Sequence, residues 1–145
     1  GALGVTVVRG AEGDEQGVKE ATAQFYTALN SLFTGDAAPM KQVWSHADDV
    51  TYMGPGGGMQ VGWEQVSATW DKQAALKLGG KIESEQLRYF LGGEIAVVQN
   101  VEKGENEVNG KVEKVSIRAT NVFRKEGGKW KMVSHHTDLL PFLQK

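Results

Sequence analysis

The sequence contains no cysteine, which excludes disulfides, thiol nucleophiles and thiolate metal sites and leaves the redox compartment open. A bacterial cytoplasm and a periplasm both suit that absence. The first residue is Gly1 rather than Met, which suggests a cleavage scar or a trimmed chain and leaves room for an export signal removed before it. No apolar run approaches the roughly 20 residues that span a bilayer, so no membrane insertion is expected. Lys and Arg are nowhere concentrated, and a formal net charge of -2 leaves no electrostatic footprint for nucleic acid or a polybasic membrane contact. The glycine run Gly56-Gly57-Gly58 lacks the Lys-Ser/Thr pair and helix start of a phosphate loop, and no cofactor is expected. A length of 145 residues suits one domain with one core.

Residues 1–13 are read as a flexible tail, with a short apolar patch at residues 5–8 that could pair as an edge strand. The domain is placed at residues 14–145. Asp14 is a plausible N-cap, and Val18, Ala21, Phe25, Leu29 and Leu32 recur at the three-to-four spacing of one helix face, ending at Gly35. Asp36 caps a short second helix with Pro39 in its tolerant first turn. Residues 48–54 switch to period two and end at Pro55, which predicts a strand and a turn. Val66, Trp70, Ala74 and Leu78 predict a third helix, stopped by Gly79-Gly80. Strands are expected at about residues 81–91 and 94–103, then a polar loop over 104–110. Helices gathered before a run of antiparallel strands predict an α+β fold, with helices covering one face of a strongly curved sheet.

Residues 115–138 organise the rest. Two β-rich runs flank the turn signal Glu126-Gly127-Gly128-Lys129 and form a long hairpin. The hairpin carries Arg118, Asn121, His135 and His136 among apolar neighbours, more polar residues than a plain core requires.

The order of elements, with the pieces TALNSLFTGDAAPMKQVW, ADDVTYMGP, VGWEQVSATW and ATNVFRKEGGKWKMVSHH, resembles the nuclear transport factor 2-like superfamily, and within it the SnoaL-like and ketosteroid isomerase-like group. The likeness spans about residues 15–140. It implies a cystatin-like cone, in which a mostly antiparallel sheet wraps a long N-terminal helix and two further helices, leaving a pocket; the outer sheet face commonly makes a dimer. In ketosteroid isomerases the catalytic base is an Asp before the Pro that ends the first strand, a place held here by Gly54 before Pro55. The oxyanion-hole Asp falls on Asn121 and the oxyanion Tyr on Phe25, so steroid isomerisation is not expected. The hairpin is also similar to the association domain of calcium/calmodulin-dependent protein kinases through Thr120-Asn121-Val122-Phe123; that domain's pocket arginines fall on Gln99, Asn121 and Thr137, which implies a neutral pocket. Both resemblances turn one parity inward: Gln99; Ala119, Asn121 and Phe123; Val133, His135 and Thr137; and Val50, Tyr52 and Gly54 on the first strand.

His135, Asn121 and Tyr52 are therefore the residues expected to carry any chemistry. Phe25, Trp63, Val66, Trp70, Gln99, Ala119, Phe123 and Thr137 are the expected ligand contacts. The favoured reading of His135 taken alone is a histidine hydrogen-bonded inside a pocket that only binds, and of Trp70 a core residue. Alternation sends His136 and Arg118 to the outer face, which separates the adjacent histidines; no metal site is expected. The expected function is binding of a small, largely apolar molecule, with isomerase, dehydratase or hydrolase-type chemistry if there is turnover. The alternative is a non-catalytic association domain, and a homodimer through the outer sheet face is expected in either case.

Overall fold

Asp14 starts the first helix as its position predicts, its Oδ1 accepting the Gly17 N–H at 2.9 Å. In this computed structural model, which describes residues 4–9 and 14–144, helix α1 runs Glu15–Leu32 and buries Val18, Ala21, Phe25, Leu29 and Leu32. Helix α2 follows at Ala38–Val43, and α3 at Trp63–Leu76 turns Val66, Trp70 and Ala74 inward. The strands are β1 (Thr6–Arg9), β2 (Thr51–Met53), β3 (Gln60–Val61), β4 (Lys81–Leu91), β5 (Ile95–Val108), β6 (Lys111–Glu126) and β7 (Lys129–Thr137), with a 3-10 turn at Pro141–Leu143. They form one sheet in the order β1-β4-β5-β6-β7-β2-β3. Pairing is antiparallel except for β1 with β4 and β2 with β7. The fold is α+β: a curved sheet around α1, with the core between its inner face and the helices. No helix among the described residues is long and apolar enough to cross a membrane.

The hairpin stands as predicted. Gly127 and Gly128 take φ of 55° and 79°, the left-handed pair that lets a two-residue turn match the twist of its strands. Three expectations are corrected. Thr6–Arg9, placed in a tail, pairs in parallel with Arg88 to Leu91 as an edge strand; the rest of that tail lies outside the described residues except Gly4 and Val5. Residues 104–110, expected as a polar loop, mostly continue the β5–β6 ladder, with Glu105 opposite Lys114 and Glu107 opposite Val112. Their polarity reflects a solvated end of the sheet, and the turn narrows to Asn109-Gly110, itself a hairpin signal. The strand expected over 48–54 shrinks to Thr51–Met53, and β3 was not anticipated.

Register decides which side chains face inward. On β5 the buried set is Ala96, Val98, Asn100, Glu102 and Asn106, whereas Gln99 is exposed, opposite Thr120 and Arg88 on the outer face. The inward parity expected for Gln99 is therefore wrong by one residue. On β7 the ladder shifts between Val122 and Phe123, whose partners are Ser134 and Met132. The extra residue lets both Met132 and His135 face inward, and leaves Val133, expected to face the cavity, at the irregularity and only half-buried.

Candidate functional site

Five polar side chains from four elements meet in the core. Helix α1 supplies Tyr26, β5 supplies Asn100 and Glu102, β6 supplies Asn121 and β7 supplies His135, none more than 5 % exposed. Asn121 stands opposite His135 and Val98 in the ladder, which brings the three strands' inward residues into one row. Tyr26 donates to Glu102 Oε2 at 2.9 Å and accepts from Asn100 Nδ2 at 2.7 Å and Asn121 Nδ2 at 3.3 Å. His135 Nδ1 lies 2.5 Å from Asn121 Oδ1, and its Nε2 lies 3.8 Å from Glu102 Oε2. Burial thus comes with partners, as buried polar groups require.

The electrostatics follow from that burial. Removal from water pushes the Glu102 carboxyl up to about 7, although the Tyr26 hydrogen bond acts in the other direction. Burial, helped by the nearby His136, pushes His135 down to about 3. The two groups are close enough for an ion pair, but both charged forms are penalised, so the arrangement favours an uncharged acid beside an uncharged imidazole. Burial also raises Tyr26 and Tyr52 well above the ordinary phenol value, which keeps both as O–H donors.

A cavity of about 30 Å³ opens beside this cluster. Glu102, His135, Tyr52, Trp70 and Gln73 all line it. Pro55, Leu140 and Leu143 belong to its cover, where the Leu140 N–H donates to the Pro55 carbonyl at 2.9 Å. The Tyr52 ring stacks on His135 at 5.7 Å and 10°, and its hydroxyl accepts from Gln73 Nε2, leaving the phenol hydrogen free to donate. An added Cβ at Gly54 would overlap the Tyr52 hydroxyl. The place where the isomerase resemblance locates a base is thus filled by a phenol from two residues earlier. A larger groove of about 830 Å³ between α1, α2 and β7 is open to solvent and contains none of these buried groups.

Of the residues expected at the site, Tyr52, Trp70 and His135 line the cavity and Asn121 braces His135 from behind. Phe25 packs 4.8 Å from the His135 ring, without lining the cavity. Val66, Ala119, Phe123 and Thr137 are buried elsewhere in the interior, and Trp63 stacks on His46 at 4.2 Å and 7°. Gln99 is on the opposite face. Sequence reasoning missed Tyr26, Gln73, Asn100 and Glu102. Phe25 was matched to the oxyanion tyrosine, yet it is Tyr26, one position later, whose hydroxyl reaches Asn121. Gln73 was findable, since it follows Trp70 by three residues on the same helix. Among the described residues, no group of three or more His, Asp or Glu side chains converges to hold a metal.

The profile of the SnoaL-like domain matches residues 18–139. The chain belongs to the SnoaL-like domain family. Among curated proteins none matches it. Solved structures that resemble this SnoaL-like domain include a proposed dehydratase of the nuclear transport factor 2-like family from Streptomyces avermitilis, at 22 % identity and a TM-score of 0.76, covering 87 % of this chain and 95 % of that one. A proposed ketosteroid isomerase from Shewanella frigidimarina is 21 % identical with a TM-score of 0.70, covering 86 % and 96 %. A proposed calcium/calmodulin-dependent protein kinase type II association domain from Thiobacillus denitrificans is 22 % identical with a TM-score of 0.65, covering 84 % and 94 %. At these identities the likeness is one of fold.

Proposed function

We propose that this domain binds a small, uncharged, largely apolar molecule at the inner end of its curved sheet and moves a proton on it, in dehydratase- or isomerase-type chemistry. The observation that carries this reading is Glu102, a fully enclosed carboxyl held near 7, beside a neutral His135 on the wall of one cavity. Acid–base catalysis works best with a group that titrates near the working pH, and strongly shifted groups in a cavity wall cluster at functional sites. Tyr52, oriented by Gln73, adds a donor for a substrate oxygen. The names of the Streptomyces and Shewanella structures fit the same class of proton transfer. A cavity of about 30 Å³ accommodates little more than a water molecule, so substrate access requires the Leu140 and Leu143 cover to move aside.

Native mass spectrometry of the protein as purified from its source tests the reading. The expected result is a discrete small molecule that disappears on denaturation and is lost in Glu102→Gln. A ligand-free spectrum, with no thermal stabilisation by neutral carbonyl compounds, would count against it.

The outer sheet face supports a second reading, an association surface. Val8, Phe90 and Ile95 are 50 %, 38 % and 44 % exposed there, and Val8 and Phe90 are direct ladder partners. Val97 and Val122 continue the stripe across β5 and β6. We propose that a second copy of the chain covers this stripe. Val122→Asp should then give a monomer by light scattering coupled to size exclusion, and a monomeric wild type would remove the proposal.

A further inference from the structure

The hydrogen bonds around His135 have a direction that can be followed from end to end. Tyr26 accepts from Asn100 Nδ2 and Asn121 Nδ2, so its single proton goes to Glu102 Oε2. Asn121 Nδ2 also reaches Asn100 Oδ1 at 3.3 Å, which turns Asn121 Oδ1 toward His135 Nδ1. An amide oxygen only accepts, so the ring nitrogen facing it carries the proton and Nε2 keeps its lone pair. Glu102 Oε2 is already occupied by Tyr26, which leaves the carboxyl's own proton for Oε1. The cavity therefore presents an acceptor and an acid proton on neighbouring groups, with Tyr52 as a further donor. Among the described residues, no Lys or Arg lines it to hold a carboxylate or a phosphate.

We propose that Asn121 is a positioning residue that sets the Nδ1–H tautomer of His135, and that the cavity thereby takes an uncharged hydroxy-carbonyl compound, with His135 Nε2 as acceptor and Glu102 as donor. This rests on the proton-transfer reading above. In the corresponding dehydration, the C–H bond next to the carbonyl breaks and its proton goes to Nε2, while the electron pair forms the new C=C bond. The C–O bond of the hydroxyl breaks, and that oxygen leaves with the Glu102 proton as water. The nearest Glu102 oxygen, Oε2, lies 3.8 Å from Nε2 and is held by Tyr26, so the return of the proton runs through the water just formed, which takes it from Nε2 and gives one to Oε1, restoring the pair. Concerted transfer leaves the imidazolium beside a carboxylate instead of alone in a dry site, which offsets the low basicity that burial imposes.

The tautomer can be read without any ligand, by nitrogen-15 NMR of the imidazole in a His46→Gln, His136→Gln background that leaves one histidine. The wild-type network should show the proton on Nδ1; a proton on Nε2 overturns the proposal, because it means the amide chain runs the other way. Asn121→Leu should release the tautomer, and an unchanged Nδ1–H signal there shows that Asn121 does not set it. If Asn121→Leu fails to fold, Asn121→Asp keeps an acceptor against the ring and should keep the proton on Nδ1; its transfer to Nε2 alone overturns the assignment. For the ligand class, 4-hydroxybutan-2-one is the probe, read by chemical-shift titration. It should bind about tenfold tighter than butan-2-one or butan-2-ol, the effect of one added net hydrogen bond, and 3-hydroxybutyrate should not bind. Equal affinity for the hydroxy-ketone and either single-function analogue removes the substrate assignment. The tautomer result separates failure of this inference from failure of the proton-transfer reading, which stands on Glu102.

Discussion

Two carboxylate-containing pairs, one inside the sheet and one outside, respond to their surroundings in opposite ways. Inside, Glu102 faces His135 in a site closed to water, and its carboxyl rises to about 7. Outside, Asp138 receives two hydrogen bonds from the Arg118 guanidinium, at 2.8 and 2.9 Å, and one from the Arg118 backbone N–H, and it falls to about 2. The outer pair keeps its charges because solvent and a permanent cation stabilise them. The inner pair gives them up because neither partner can carry a charge there cheaply. His135 and His136 are chain neighbours separated by the same boundary. Proximity alone thus does not make an ion pair; the medium decides whether the same kind of contact holds charge or a movable proton.

The largest break in this contrast should come from opening the inner compartment. Trp70→Ala removes a fully buried ring packed 4.6 Å from Tyr52, and should cost about 3–5 kcal/mol in urea denaturation. It should also admit water, so that Glu102 titrates closer to the ordinary carboxylate value.

Next in size is a pH signature. Glu102 is raised from 4.5 to about 7, so its contribution to stability is complete below 4.5 and lost as pH rises through 7. His135 is lowered from 6.5 to about 3, so its contribution is present above 6.5 and lost as pH falls through 3. Between 4.5 and 6.5 the unfolded chain carries the proton on the histidine and the folded chain carries it on the glutamate, so the two slopes cancel. Unfolding free energy should be level across that window and decline on either side. Glu102→Gln should replace the level stretch with a continuous rise. Its departure from wild type should accumulate to about 3 kcal/mol, at about 1.4 kcal/mol per pH unit. A level profile in the variant would show that Glu102 is not the group responsible.

A smaller change tests the space under the cover. Gly54→Ala forces the Tyr52 hydroxyl from its place and should destabilise by about 1–3 kcal/mol, with loss of ligand-induced thermal shift. The smallest effect belongs to the outer pair. Arg118→Ala should barely move the melting temperature, and the difference should vanish at high salt, since exposed ion pairs are weak and screened. A large, salt-independent loss would show that the Arg118–Asp138 pair holds the C-terminal cover in place.

Much of the fold was legible because it rests on local periodicity and punctuation. The three helices, the glycine turn of the hairpin and the alternation separating His135 from His136 all follow from short stretches of chain. The candidate site was legible only at His135, Asn121 and Tyr52, with Trp70 as a wall. On β5, Ala96, Val98, Asn100 and Glu102 alternate with Val97, Gln99, Val101 and Lys103, two sets that each hold two apolar and two polar residues. A strand with such a pattern carries no internal sign of which set faces inward; the register with β6 settles it, and with it the burial of Glu102. Likewise the extra residue in β7 turns both Met132 and His135 inward only because β6 is paired beside it. The residue pattern along the chain specifies helices, strands and turns, because those depend on neighbours a few positions apart. The acid–imidazole pair exists only in the assembled sheet, because the shift of each group comes from water excluded by side chains distant in the sequence.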